Sequence, residues 1–118
     1  MAITAKKQLV ATWYTPESQE DEENPARFKV RPLTGAQALE VYDHFDGKKR
    51  RFLSSGIHLA MAYGLVDWEN VTDENGNKLE CVPSNFKYLP PVDANELGNH
   101  IIDLASLSGD EEKNSASQ

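Results

Sequence analysis

Residues 26–47 read ARFKVRPLTGAQALEVYDHFDG, and along them the hydrophobic period changes from that of a strand to that of a helix. From Ala26 to Leu33 the alternation is regular: Phe28 and Val30 face one way, Arg27, Lys29 and Arg31 the other. A period of two describes a half-buried strand with one wet, basic face. At Thr34 the pattern changes. A threonine followed three residues later by Gln37 can close a capping box, each side chain accepting the other's backbone N–H. Leu39, Tyr42 and the pair His44-Phe45 then supply an apolar stripe, and Gly47 is a natural stop.

Upstream, Gln8 to Thr15 is rich in β-branched and aromatic residues and reads as a second strand. PESQEDEENP, about residues 16–25, joins the two strands. It reads as a mobile acidic loop, too charged to pack, at the tip of an N-terminal β-hairpin. Downstream, KKRRFLSSGIHLAMAYG reads as a second central helix, with Leu53, Ile57, Ala60 and Met61 on one face. Gly64 is placed as its left-handed cap, with Leu65 packing behind. Ser54, Ser55 and Gly56 are small enough to admit another element closely.

LVDWENVTDENGNKLECV is not helical. Asn-Gly marks a turn, and the flanking residues either pair briefly or form an irregular loop that Trp68 locks to the core. PSNFKYLPP offers one helical turn opened by Ser84. The closing helix is capped by Asp93 with Glu96 three on, carries Leu97, Ile101 and Leu104 at i, i+4 and i+7, and ends at Gly109. The expectation is a mainly α fold with a small β component, one globular domain over residues 1–109 followed by a disordered acidic and polar tail, 110–118.

A chain of 118 residues holds one modest core. Its net charge of -7 works against binding a phosphate backbone. Cys81 is the only cysteine, so no disulfide closes within the chain and no cysteine metal cluster forms; a small buried residue in a strand is the reading for it. No stretch is apolar enough for a signal peptide or a membrane span, which fits a cytoplasmic protein. The calcium-loop reading of VTDENGNKLECV fails, because aligning Gly76 with the loop glycine puts Val71 and Val82 where carboxylates belong. His44, His58 and His100 are scattered and fit no metal or acid–base pattern. No nucleophile elbow, phosphate cradle or paired-carboxylate signature is present, so no catalytic residue, cofactor or metal is assigned and no enzyme activity is expected.

Binding remains. The run Lys48, Lys49, Arg50, Arg51 would be a solvated first helical turn, slightly unfavourable with the helix dipole, or a contact for an acidic partner or the chain's own acidic loop. Trp13, Tyr14 and Trp68 are candidate partner or self-association contacts, since Trp and Tyr are enriched in binding hot spots.

The second half of the chain, GLVDWENVTDENGNKLECVPSNFKYLPPVDANELGNHIIDLASLSGDEEKNS, resembles the tail assembly chaperones of long-tailed, lambda-like bacteriophages with non-contractile tails. The likeness lies in the order of features: a Trp-x-Asn-Val element running into DENG, a short VPSNFKYLP segment, a helix containing ELGNHIIDLASL, and a polar end reading EEKNS. The resemblance implies a non-enzymatic, self-associating protein that binds the tape measure protein and helps the tail tube protein polymerise around it. Such a protein acts in the cytoplasm of the infected bacterium and is absent from the mature virion. The family also implies a longer, frameshifted product sharing the N-terminal domain. Glu112, Lys113 and Asn114 can be encoded by a slippery A-AAA-AAC heptamer, in which case the tail's residues are partly dictated by the messenger RNA; an ordinary frayed acidic end is the alternative. Two other functional readings stand beside the chaperone: a small head-tail connector or tail completion protein that stays in the virion, and an acidic DNA mimic. The mimic would need acids spread over a rigid surface, and here they concentrate in residues 17–23 and 110–112.

Overall fold

The computed structural model describes residues 3, 5 and 9–117, with side-chain burial described through residue 105. Two antiparallel sheets and three α-helices share one hydrophobic core. The elements are β1 (Thr12–Tyr14), β2 (Arg27–Val30), α1 (Gly35–Tyr42), β3 (Phe45–Asp46), β4 (Arg51–Phe52), α2 (Ser54–Gly64), β5 (Leu65–Glu69) and α3 (Pro91–Ser117). Short 3-10 turns lie at Glu17–Gln19 and Pro83–Tyr88. The larger sheet has the order β1-β2-β5, and β3 pairs with β4 alone.

The expected N-terminal hairpin is present, with Trp13 opposite Lys29 and Tyr14 opposite Phe28. Phe28 and Val30 are buried and Arg27 and Lys29 are only half-buried, as the period of two requires. The capping box at Thr34 and Gln37 also forms. The tip of the hairpin departs from expectation. Pro16 is among the most deeply buried side chains, and Glu17 and Ser18 hydrogen-bond to the start of α3. Two acids there have acceptors' work to do: Asp93 accepts from the Ser18 hydroxyl at 2.6 Å and Glu96 accepts from the Glu17 amide at 3.0 Å. Asp93 therefore lies inside the first turn of α3, which Pro91 opens, and does not cap it.

The tryptophan segment is a strand, not an irregular loop. Phe28 pairs with Trp68, Lys29 with Asp67 and Val30 with Leu65, so Val66 is an extra residue in a bulge. The bulge lets Leu65 and Trp68, three apart, both face inward. Trp68 donates its indole N–H to the Leu79 carbonyl at 2.8 Å and meets Phe28 edge-on, with ring centroids 6.0 Å apart. The chain then turns through Gly76 and returns by a single Thr72–Lys78 bridge. Pro83, not Ser84, opens the 3-10 turn that follows. Cys81 is half-buried and lies outside any strand.

Gly64 differs in role from the left-handed cap expected of it, for its φ is not positive. It is small because α3 crosses there: a Cβ on Gly64 would fall 2.4 Å from Ile101 Cγ2. Gly98 on α3 is the reciprocal case, with Ile57 Cγ2 at 2.5 Å and the Ile57 carbonyl oxygen at 3.1 Å from a Cβ built there. Leu97, Ile101 and Ile102 fill the core beside these contacts. The backbone of α3 continues through Gly109 to Ser117, beyond the stop read from the sequence.

Candidate functional site

The run DGKKRRF does not begin α2; it forms the turn between β3 and β4. Phe45 pairs with Phe52 and Asp46 with Arg51. The Asp46 carboxylate accepts the backbone amides of Lys48 and Lys49 at 3.0 and 3.1 Å, and Arg50 takes a left-handed φ of 55° to close the loop. This is the local competition that Asp wins over a helix: its side chain satisfies amides that a first helical turn would leave to solvent. The Leu53 amide extends the ladder to the His44 carbonyl at 2.8 Å, and the His44 ring bonds Ser55 Oγ at 2.8 Å. Gly56 makes room for this hairpin, lying against His44 Cβ, as the small-residue run suggested.

The hairpin carries an exposed aromatic face. Phe45 meets Phe52 with centroids 5.0 Å apart, and Tyr42 meets Phe52 at 5.5 Å. Tyr42, Phe45 and Leu53 are each nearly half exposed, and Leu39, one helical turn before Tyr42, is 71% exposed. The stripe expected to bury α1 is therefore its outer face, while Val41 supplies the buried contact. Lys48, Lys49, Arg50 and Arg51 border this face, all exposed. Among the described residues none of the four forms an ion pair; Arg27 pairs with Glu69 on the larger sheet.

The other candidate contacts lie elsewhere. Trp13 is on the solvent side of the larger sheet, with the Arg27 guanidinium 5.2 Å from its ring. Tyr14 points inward, stacks on His100 and donates its hydroxyl to Glu96. Burial, aided by Glu96, pushes the Tyr14 phenol up to about 12. Trp68 is a core residue, 4% exposed, which removes it as a surface contact. Lys113 and Asn114 are on the α3 backbone, and their side chains lie outside the described residues. The sequence reading missed Leu39, Tyr42, Phe45 and Leu53 because it assigned them to buried helical faces. The signal that identifies them is Asp-Gly between two phenylalanines, a hairpin turn with an aromatic pair at its base.

Among the described residues, no group of three or more His, Cys, Asp or Glu is arranged to hold a metal ion, and no helix is long and apolar enough to cross a membrane. His58 is exposed. Comparison with protein-family models, with curated proteins and with solved structures finds no match.

Proposed function

We propose that this protein is a tail assembly chaperone of a long-tailed bacteriophage: it binds the tape measure protein through the Leu39–Leu53 aromatic face and promotes tail tube polymerisation. Support comes from the order of features in the second half of the chain and, above all, from the aromatic face itself. An apolar surface of this kind on a small acidic protein suits reversible cover for apolar stretches of a long helical client. Modest affinity per copy, summed over several copies on one client, would let the chaperone leave when the tube closes. The acidic surface keeps the coated client soluble.

Co-expression with the tape measure protein and co-purification tests the reading. The wild type is expected to be recovered with its client, and Leu39→Ser/Phe45→Ser to lose it while melting close to the wild type. Recovery undiminished by the double substitution overturns the assignment of the face. Abundant protein in purified virions overturns the chaperone role.

A further inference from the structure

We infer that the aromatic face selects an acidic amphipathic helix: a client segment whose apolar stripe covers Leu39, Phe45 and Leu53 and whose carboxylates meet the cationic turn. This rests on the reading of that face as the client surface and adds the chemistry of what it selects. Face and turn are built as one unit. Phe45 and Phe52 are a cross-strand pair, so both rings leave the hairpin on one side. Leu39 and Tyr42, three apart on α1, continue the apolar strip away from the hairpin. Leu39 is 71% exposed, Phe45 44% and Leu53 47%. At the other end stand Lys48, Lys49 and Arg50, in a turn whose amides Asp46 holds at 3.0 and 3.1 Å. A cation carried on a pinned turn loses less freedom on pairing than one on a loose loop.

Charge complementarity selects the occupant. Residues 43–53 carry four cations against two carboxylates, Asp43 and Asp46, on a chain of net charge -7. Asp46 is engaged by the turn amides, and among the described residues no ion pair neutralises any of the four cations. Exposed rings beside unpaired cations fit a ligand that is apolar along one stripe and anionic at its flank. A helix with apolar residues at i, i+3, i+4 and i+7 and Asp or Glu beside them has that form. A lipid surface or a nucleic acid also carries anions, but spreads them over an extended area. The acids of residues 17–23 and the overall negative charge then oppose its approach. The few carboxylates of a peptide can all lie within the screening length of the turn, about 8–10 Å.

Two designed helical peptides of about 20 residues provide the test, one with a leucine stripe flanked by glutamates, the other with the same stripe flanked by lysines. Fluorescence anisotropy against the full chain reads their binding. At about 50 mM salt the glutamate peptide is expected to bind about tenfold more tightly, the scale of two or three exposed ion pairs. The preference should vanish at about 1 M, where the screening length falls to about 3 Å. Lys48→Glu/Lys49→Glu is expected to invert the preference, and the milder Lys48→Gln/Lys49→Gln to abolish it. Inversion is a gain of binding to the lysine peptide, which a misfolded variant would not show. Leu39→Ser/Phe45→Ser should weaken both peptides.

Equal binding of the two peptides by the wild type, or a preference untouched by charge reversal, overturns the inference. So does tighter binding, lost on charge reversal, to phosphatidylserine vesicles or to a uridine oligonucleotide, which would assign the surface to lipid or RNA. Co-purification with the tape measure protein separates the two readings. Recovery that survives charge reversal but is lost in Leu39→Ser/Phe45→Ser overturns the acidic preference and leaves the client reading standing. Failure of the wild type to recover the tape measure protein, with the peptide preference intact, removes that client and supports the chemistry of the face.

Discussion

The ring of Tyr14 lies on the imidazole of His100, with centroids 4.0 Å apart and planes 20° apart. This contact joins the first strand to the last helix, and Glu96 reinforces it by accepting the Tyr14 hydroxyl. Burial pulls the His100 pKa below its ordinary value of 6.5, against the opposing pull of Asp103 and Glu96. A depressed histidine pKa means that the folded state holds the proton less well than the unfolded chain. The associated stability is complete above about pH 6.5 and is lost as the pH falls toward the folded value. Melting temperatures measured from pH 7.5 down to about 5 are expected to fall more steeply for the wild type than for His100→Phe, which keeps a stacking ring and removes the titration. Parallel curves would show that the imidazole does not couple to folding.

Gly98→Ala tests the crossing of α2 and α3. Alanine favours a helix over glycine by about 1 kcal/mol, so on propensity alone the substitution should stabilise. The added Cβ, however, would lie 3.1 Å from the Ile57 carbonyl oxygen and 3.2 Å from its Cα. Rotating the Ile57 side chain does not relieve contacts with backbone. A net loss of about 1–3 kcal/mol is expected in urea unfolding. A gain would mean that the helices can separate at little cost.

The two tryptophans predict losses of very different size for one substitution. Trp68→Ala removes a core ring that touches Phe28 and Phe86 and leaves the Leu79 carbonyl without its indole donor. A loss of about 3–5 kcal/mol is expected. Trp13→Ala removes a half-exposed ring and its contact with Arg27, worth about 0.5–1 kcal/mol. Chemical denaturation of the two variants side by side checks the assignment of one to the core and the other to the surface.

Cys81 should react slowly. Burial first, and the Asp67 carboxylate second, push its thiol up to about 11. At pH 8 its thiolate fraction is then about a hundredfold below that of an ordinary thiol, and alkylation slows, though by less, since a more basic thiolate is the better nucleophile. Mass spectrometry of iodoacetamide adducts over time measures this, with the unfolded chain in denaturant as reference. Equal rates for folded and unfolded protein would place the thiol in open solvent.

What could be read from the sequence was whatever depends on neighbours along the chain. The capping box needs only Thr34 and Gln37, and the alternation of β2 needs only its own residues. Leu97 and Ile101 likewise repeat at helical spacing and are fully buried. The misread parts depend on distant partners. Leu65 and Trp68 do not alternate, because the bulge at Val66 that brings both inward exists only in pairing with β2. Leu39, Tyr42 and Val41 all suit a buried helix face, and the choice among them is made by where α2 lies. Pro16 to Ser18 read as solvated loop until the first turn of α3 supplied Asp93 and Glu96 as acceptors for Ser18 and the Glu17 amide. The aromatic face was hidden for the same reason: apolar spacing alone does not say which side of an element is covered.

The seam between residues 14 and 96 also governs when this domain can exist during synthesis. Its N-terminal strand leaves the ribosome early, but the residues that lock Tyr14 in place and fill the space against Gly64 arrive only with the final helix. A nascent chain lacking Leu97 and Ile101 exposes Ile57, Ala60 and Met61 to whatever surrounds it. The native core therefore closes only around contacts between residues far apart along the chain, and anything that holds α3 away from α2 leaves that apolar surface uncovered.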